Sequence, residues 1–364
     1  MQENTVVLMN CGDVGPIHEP MDNYSTLVRQ TLATADIRVA QCERVYSERG
    51  SLHPASGPGW VKPHMASIFT DCGFDVLSVA SNHALDGGPD ALLDSIELLR
   101  SKGIKTVGGG RNLEESRRPA IINRNGVSMA FLAYCSVLQP GYWAGHNKPG
   151  ISPLRVHTYY EPMEYQAGMP PRIVTIPYED DLQGMVDDIT AMKKAGHIVI
   201  LNLHWGLHFI PRIIADYQVT VAHAAFAAGA DIIMGHHAHV PKAIGVYGGK
   251  VCFYSLSNFM ISSAKKSPAD TAAFARRYGV TMDPDYPLLP YGTDAKRSMI
   301  AKVVIARDGI KKVSFLPALI DQQLRPEILK RSDPRFDEAV SYMEWASDGF
   351  EHRFDVEGDE VVVS

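Results

Sequence analysis

Eight polar side chains of this sequence could bind a metal ion or transfer a proton, and each follows the end of a short apolar run. They are Asp13, Glu43, Asn82, His83, Asp86, His204, His237 and His239. Histidine nitrogen combined with carboxylate or amide oxygen suits Mn, Zn or Fe and suits Ca or Mg poorly. The donor types therefore predict one or two divalent transition-metal ions.

Each of these residues taken alone has an ordinary explanation. An Asp after a strand usually forms a turn, and a single His is usually a hydrogen-bonded core or surface group. Their number and shared position favour a metal centre instead. Tetrahedral zinc takes four ligands, so six or more donors exceed the need of one such ion. Two ions about 3.5–4 Å apart would use the whole set and would support hydrolysis.

The apolar runs that precede these residues have the lengths of strands and alternate with helical patterns. Strands are predicted at residues 5–9, 37–40, 76–80, 104–107, 120–122, 129–133, 198–203, 231–234, 243–246, 251–254, 300–305 and 311–316. Helices are predicted at residues 24–34, 63–72, 88–103, 180–195 and 217–228. This alternation indicates a layered α/β protein with a mostly buried sheet. Because open α/β sheets bind ligands beyond the carboxyl ends of their strands, the candidate donors are expected to converge there.

Two long segments, residues 140–171 and 262–297, fit this alternation poorly. Segments of such length are usually lids or are disordered, and we expect lids. The aromatic residues of the first segment would bind a partner or form a substrate wall: Tyr142, Trp143, Tyr159, Tyr160 and Tyr165. The acidic end, residues 348–364, is predicted to be either an added strand or a loose tail.

The composition excludes several classes of protein. The net charge of -6 leaves no basic excess for a phosphate backbone, so nucleic acid is not an expected partner. No run reaches the ~18 apolar residues of a membrane span, and the first ten residues do not resemble a signal peptide. Five cysteines without a CxxC pair predict free, mostly buried thiols in a reducing compartment. We therefore expect a cytoplasmic protein, and an oligomer is possible.

The order of the motifs resembles a known family. Asp13, Asn82-His83, His204 and His237-x-His239 resemble, in this order, the metallophosphoesterase signature. More closely, the sequence resembles the CapA/PgsA family of poly-γ-glutamate synthesis proteins over roughly residues 5–320. The segments that carry this resemblance are Gly12-Asp13, Glu43, and residues 81–86, 107–112, 204–206, 228–240 and 254–259.

The resemblance implies a fold and a set of ligands. The implied fold is a four-layer α/β/β/α sandwich over residues 1–325, with residues 326–364 as a C-terminal extension and the site at the strand ends. Glu43 would bridge two metal ions. The other implied ligands are Asn82, His204 and His237 for one ion, and Asp13 and His239 for the second.

The sequence departs from the family pattern at three positions. Gly15 stands where phosphoesterases commonly carry His, two residues after the first Asp, so one metal site lacks a ligand. Glu43 replaces the usual bridging Asp, and His208 stands where Glu commonly follows His-Trp-Gly. The family usually has a membrane anchor at its start, and no such anchor is predicted here.

The hypothesis that follows is a metal-dependent hydrolase. A metal-bound hydroxide would attack a phosphoester or an amide such as a γ-glutamyl bond, with His83 as general acid or base and Asp86 orienting it. One alternative is a peptide-modifying enzyme that acts by Cα proton transfer, as an epimerase does. Another is a non-enzymatic subunit for poly-γ-glutamate or capsule synthesis. The expected partner is a small-molecule or peptide substrate, anionic in character, contacted by Lys62, Arg111, His208, Lys296 and Arg297.

Overall fold

Two β-sheets carry the core of the chain in a computed structural model that describes residues 5–51 and 60–364. The strands are β1 Val6–Gly15, β2 Ile37–Cys42, β3 Val76–Ser78, β4 Lys105–Val107, β5 Gly109–Gly110, β6 Ala120–Arg124, β7 Val127–Cys135, β8 Gly150–Ile151, β9 Val156–Glu161, β10 Arg172–Pro177, β11 Ile198–His204, β12 Ile232–His236, β13 Ile244–Tyr247, β14 Lys250–Phe253, β15 Asn258–Ile261, β16 Arg297–Ala306, β17 Gly309–Ile320, β18 Pro326–Ile328, β19 Phe354–Glu357 and β20 Glu360–Val363. The α-helices are α1 Arg29–Leu32, α2 Ser67–Asp71, α3 Gly88–Ser101, α4 Leu113–Ser116, α5 Glu179–Lys194, α6 Asp216–Ala228, α7 Pro268–Tyr278 and α8 Pro334–Ser347. Short 3-10 helices lie at Met21–Ser25, Pro63–Ala66 and Thr293–Lys296.

Each sheet has a parallel centre. The larger sheet has the strand order β19-β20-β17-β16-β1-β2-β3-β4, and β15 and β18 pair with β1 and β17. Strands β1 to β4 run parallel, whereas β16 and β17 are antiparallel additions. The smaller sheet has the order β13-β14-β12-β11-β7-β6, with β7, β11, β12 and β14 parallel. Each sheet therefore presents several carboxyl ends on one edge.

The smaller sheet lies between the larger sheet and a pair of helices. Along β11, Ile200 joins the core shared with Leu8 of β1, whereas the next residue, Leu201, joins a second core. That second core contains Ile189 of α5 and Val221 of α6. Successive strand residues point to opposite faces, so the two cores lie on the two faces of the smaller sheet. Helix α3 packs on the larger sheet, and α8 contacts β17 of the larger sheet and β13 of the smaller one. The order is therefore helix, sheet, sheet and helix, which confirms the predicted α/β fold.

The predicted strands and the observed ones agree in position. Every predicted strand overlaps an observed one, and α3, α5 and α6 lie where helices were predicted. Two predicted helices were wrong in extent, because residues 24–34 and 63–72 form 3-10 turns with only the short helices α1 and α2. Small elements inside irregular segments, such as β8, β15 and α7, were not predicted. β8 and β15 are too short to show a periodic pattern, and α7 buries none of its residues, so it has no apolar face directed to the core.

The segments without a clear pattern contain regular structure. Residues 140–171 include β8 and β9, and residues 262–297 include α7. At the acidic end, β19 and β20 are added strands, and β20 pairs with β17. The division into a main unit at residues 1–325 with two lids and an extension stays a prediction.

Two other expectations concern helices and cysteines. In the part of the chain that the structure describes, every helix falls short of the length and apolar character that a membrane span needs. All five cysteines are free and buried, as predicted from their number and spacing.

The close approach of β1 to residues 256–257 requires glycine at position 12. A Cβ at Gly12 would overlap the carbonyl oxygen of Ser257 and lie 3.1 Å from that of Leu256. Because backbone atoms cannot rotate away, we expect Gly12→Ala to lower the free energy of unfolding by about 1–3 kcal/mol. Urea unfolding measures this change. The control is Gly145→Ala, where the added Cβ meets only Lys148 Cβ at 3.4 Å; equal effects of both variants would contradict the argument.

Candidate metal centre

Two buried carboxylates and a buried imidazole meet between the carboxyl ends of the two sheets. Asp13 lies near the end of β1, Glu43 directly follows β2, and His204 is the last residue of β11. One ligand atom from each lies within 4.8 Å of the other two, and all three residues are buried. This is the spacing of donors that share one metal ion or two adjacent ions.

A bulge in β1 turns Asp13 toward this centre. Asn10 pairs with Val39 of β2, but Asp13 pairs with Gln41, so three residues of β1 advance against two of β2. Such a bulge shifts the alternation of side chains by one residue. Asp13 therefore shares the face of Asn10, whose side chain donates a 2.9 Å hydrogen bond to Asn202 of the smaller sheet.

Simple alternation places the histidines that end β11 and β12. Ile200, Asn202 and His204 share one face of β11, and that face packs on the larger sheet. His204 pairs in register with His236, the last residue of β12. His236 therefore also points between the sheets, and its Nδ1 lies 3.3 Å from Asp13 Oδ1.

The segment after β12 wraps around Asp13. The backbone N–H of His237 donates to Asp13 Oδ2 over 3.3 Å, and His239 Nδ1 lies 3.8 Å from the same oxygen. His237 and His239 have φ values of 90° and 57°, which residues other than glycine rarely adopt. Strain of this kind persists where the surrounding structure enforces it, and it clusters at functional sites.

Asn82 and His237 complete the ring of donors on the side of His204. Asn82 Oδ1 lies 2.8 Å from His204 Nε2, and His237 Nδ1 lies 3.2 Å from the same nitrogen. The structure thus brings together the six predicted ligands and adds one. We call this group the candidate metal centre: Asp13, Glu43, Asn82, His204, His236, His237 and His239.

The candidate metal centre has more polar atoms than partners. Within residues 5–51 and 60–364, the buried atoms without a hydrogen bond include Asp13 Oδ1, Glu43 Oε1, His204 Nδ1 and both ring nitrogens of His236. Each unsatisfied buried polar atom costs about 1–3 kcal/mol. Carboxylate oxygen and imidazole nitrogen are ligands of divalent transition metals, so these residues fit a metal ion.

Burial also shifts the protonation of these groups. Burial, and then the neighbouring Asp13, raise the pKa of Glu43 well above its usual range, while Arg44 and a hydrogen bond from Ser81 act in the opposite direction. Burial, followed by the neighbouring histidines, lowers the pKa of His204 and His237 well below 6.5. Low pKa values keep these imidazoles neutral, which is the form that binds metal.

A histidine–aspartate pair lies beside the candidate metal centre. His83 Nδ1 and Asp86 Oδ2 are 2.7 Å apart, and the side chain of His83 is 22% exposed whereas that of Asp86 is 2% exposed. Tyr142, from the segment 140–171, donates to Asp86 Oδ1 over 3.2 Å. Ser81 Oγ joins the two groups, because it accepts from the backbone N–H of His83 and donates to Glu43 Oε2.

Aromatic rings border the centre on the side of His239. The rings of His239 and Tyr291 stack with centroids 4.6 Å apart, and Phe209 lies 5.6 Å from His239. Phe274 and Tyr278 of α7 pack on Phe209 at 5.0 and 4.9 Å. Helix α7 of the segment 262–297 is therefore in contact with the wall of the centre.

A buried lysine holds the loop that carries His208 and Phe209. Lys242 Nζ donates to the carbonyl oxygens of Ile210 and Ile213 over 2.6 and 2.8 Å. Burial lowers the pKa of Lys242 to about 7. The loop brings the ring of His208 to 3.8 Å from that of His237.

The other predicted substrate contacts pair with acidic residues near them. These pairs are Lys62 with Glu48, Arg111 with Glu115, Lys296 with Asp283, and Arg297 with Asp294 and Glu338. Of the aromatic residues in segment 140–171, Tyr142 contacts Asp86, whereas Tyr159, Tyr160 and Tyr165 are exposed. Of the predicted cationic contacts and aromatic wall residues, the structure thus brings His208 and Tyr142 to the site.

Sequence reasoning missed three residues of this region. His236 lies two residues after the predicted strand at residues 231–234 and is the last residue of β12, and that position was a usable signal. Asn258 of β15 bonds His239 Nδ1 through its Oδ1 at 2.7 Å, but β15 itself was not predicted. Arg44 is buried beside Glu43, and a charged residue carries no signal of burial in a single sequence.

The fold and these donors define an α/β protein with a candidate metal centre between two sheets. The chain belongs to the family described as "Bacterial capsule synthesis protein PGA_cap", whose model matches residues 9–263. The predicted CapA-type family is thereby confirmed.

Two curated relatives are similar to this chain over part of their own length. "PGA biosynthesis protein CapA" of Bacillus subtilis (strain 168) is 31% identical over 206 residues, which are 56% of this chain and 47% of the relative. "Capsule biosynthesis protein CapA" of Bacillus anthracis is 28% identical over 211 residues, 58% of this chain and 46% of the relative. The chain thus spans about half the length of the curated relatives it matches.

A third relative and one solved structure are similar over larger shares of this chain. "Probable polyglutamine synthesis accessory protein" of Mycobacterium tuberculosis is 29% identical over 231 residues, 62% of this chain and 52% of the relative. The calcineurin-like phosphoesterase YfkN from Bacillus subtilis aligns over 90% of this chain and 88% of its own, with 11% identity and a TM-score of 0.38.

The two buried carboxylates should make the metal-free protein unstable. Glu43→Gln removes the cost of burying or protonating this carboxyl beside Asp13 and keeps an acceptor for Ser81, so we expect the free energy of unfolding in EDTA to rise by roughly 1–3 kcal/mol. With saturating Zn²⁺ the same variant should gain less stability than the wild type. Urea unfolding with and without metal measures both effects. Glu48→Gln, at an exposed ion pair with Lys62, is the control and should change little.

The protonation of His208 should be visible in the pH dependence of stability. Burial, and then His83 and Lys242, lower its pKa to about 4, whereas an unfolded chain has about 6.5. Because the folded pKa is the lower one, the stabilisation is present above pH 6.5 and is lost as pH falls toward 4, by about 1.4 kcal/mol per unit.

We therefore expect His208→Gln to lose less stability than the wild type between pH 6.5 and pH 4. Chemical unfolding of the metal-free proteins at several pH values measures the slope. His223→Gln, at an exposed histidine, should keep the wild-type slope. A His208→Gln slope equal to that of the wild type would show that folding does not lower the pKa of His208, and it would contradict this prediction.

Proposed function

We propose that this chain is a metal-dependent hydrolase of an anionic substrate, with a phosphoester or a γ-glutamyl amide as the bond that is cleaved. The observation that carries the proposal is the meeting of Asp13, Glu43 and His204, whose ligand atoms lie within 4.8 Å of one another. Their unpaired buried atoms need a cation to offset the cost of burial.

The residues divide into those that would hold metal and those that would act on the substrate. Asp13, Glu43, Asn82, His204, His237 and His239 would hold one or two ions of Mn, Zn or Fe, and His236 is a further candidate ligand. When bound, such an ion supplies a Lewis acid and activates water for attack on phosphorus or an acyl carbon.

His83 has the position of a general acid or base. Its Nδ1 bonds Asp86 at 2.7 Å, which fixes the ring and leaves Nε2 as the nitrogen for proton transfer. Asp86 is held in turn by Tyr142. The partial exposure of His83 lets it reach a substrate, whereas the histidines of the candidate metal centre are buried.

The substrate class comes from the charge of the site and from the relatives. The relatives carry names of poly-glutamate and capsule synthesis, and a γ-glutamyl chain is an anionic amide. Phosphoesters are anionic too, so both belong in one assay panel. The buried free thiols support the proposal of a reducing, cytoplasmic location.

A second candidate is a metal-holding accessory subunit without turnover. The name of the mycobacterial relative, a synthesis accessory protein, favours it. The exposed side chains of Tyr159, Tyr160 and Tyr165 would then bind a partner. Metal bound at the candidate metal centre with no turnover of phosphoesters, esters or amides would support this candidate over the hydrolase.

The hydrolase proposal predicts that His83 acts after metal binding. We expect His83→Asn to lower kcat by about 10²–10⁴-fold while the metal content stays at the wild-type value. Elemental analysis measures metal per chain, and the phosphoester and γ-glutamyl peptide panel measures turnover.

Controls separate chemistry from folding. His64→Asn, at an exposed histidine that pairs with Glu19, should keep both turnover and metal. Glu43→Ala and His237→Ala should lose metal as well as turnover. Unchanged turnover in His83→Asn would exclude the assigned role, and full metal content in both ligand variants would exclude the assigned centre.

A further inference from the structure

Arg44 is a buried cation directly beside the candidate metal centre. It follows Glu43 in the chain, and its residue exposure is only 4%. Nε donates to the carbonyl oxygen of Gly15 over 3.3 Å, and Nη2 donates to that of Ser262 over 3.5 Å. Nη1 is buried and has no hydrogen-bond partner among the residues that the structure describes.

Glycine at position 15 makes room for this guanidinium. A Cβ at Gly15 would lie 2.8 Å from Arg44 Cγ and 3.1 Å from Glu43 Cβ. A larger residue two positions after Asp13 would therefore displace Arg44. The missing side chain at Gly15 thus provides the space that the buried Arg44 occupies.

The charge of Arg44 acts on the centre itself. Arg44 directly follows Glu43, and its Nε is anchored on Gly15, two residues after Asp13, so its charge lies beside both carboxylates. One divalent ion and the guanidinium of Arg44 would together place three positive charges beside the two carboxylates of Asp13 and Glu43. A second divalent ion would raise that number to five in a buried volume, which is unfavourable without further anions.

We propose that Arg44 takes the place of a second metal ion, so that the candidate metal centre holds one divalent ion and Arg44 Nη1 binds an oxyanion of the substrate. The proposal rests on the metal site argued under the proposed function. It adds the number of ions and the group that recognises the negative charge.

The geometry of Arg44 suits this role. A guanidinium is planar, always charged and matched to phosphate and carboxylate oxygens. Two of its nitrogens are anchored to backbone oxygens, so the direction of Nη1 is set before a ligand arrives. A donor that is already oriented and desolvated binds an anion without paying for reorganisation.

The test uses manganese and inorganic phosphate as probes on the full chain. Wild type, Arg44→Met and Arg44→Lys are loaded with Mn²⁺ and desalted, and elemental analysis gives ions per chain. Titration calorimetry then gives the phosphate Kd of each metal-loaded protein. Arg353→Met is the matched control, because Arg353 is 75% exposed and pairs with Asp355.

We expect one Mn²⁺ per wild-type chain and a phosphate Kd that rises about 10- to 100-fold in Arg44→Met, the loss of one charge-assisted hydrogen bond. The phosphate Kd of Arg44→Lys should lie between those of the wild type and Arg44→Met. If Arg44→Met is unfolded, the Kd of Arg44→Lys is compared with that of the wild type instead. Two ions per wild-type chain, no phosphate binding by the wild type, or wild-type affinity in both Arg44 variants would overturn the proposal. A wild-type chain that binds no metal fails the proposed function instead.

Discussion

The mutual repulsion of two buried carboxylates is the constraint on which this structure depends. Asp13 and Glu43 leave neighbouring parallel strands at the same edge, and both are removed from water. Two like charges at this distance in a low-dielectric interior are stable only with protons or cations between them. Burial lowers the pKa of His237 and His239 well below 6.5 and keeps these imidazoles neutral, so they do not supply that charge. A metal ion and a guanidinium can, and the fold provides a place for each.

Several local features hold the carboxylates in this position. The bulge in β1 moves Asp13 onto the face that meets the smaller sheet, and Gly12 lets that bulge approach residues 256–257. The left-handed backbone of His237 and His239 brings an N–H and a ring back to the same carboxylate. These features carry a conformational cost in the metal-free chain. The packing of the sheets on both sides offsets that cost, which is why a strained arrangement can persist.

The sequence predicted the parts of the site that rest on regular strands. Asp13, Glu43, His204 and His237 follow buried apolar runs, and parallel strands bring such ends together without further information. Lys62 and Arg111 pair with Glu48 and Glu115, and no periodic pattern in the sequence reveals this packing; their contact with substrate stays a prediction. The same reason hides Arg44. A charged residue in a sequence indicates exposure, and only the folded chain shows that Gly15 leaves a buried space for Arg44.

The origin of each group in the fold also separates metal binding from substrate recognition. The candidate ligands lie on or directly after strands, so their positions are as rigid as the sheets. The rings near His239 come from loops and from α7, and Lys242 and Tyr142 tie neighbouring parts of the site to the core. Arg44 belongs to the first group, since it is bonded to a ligand residue and anchored on the strand that carries Asp13. The residue that would bind an anion, Arg44, is therefore held as rigidly as the candidate ligands. The loops and α7 would contact the remaining parts of the substrate.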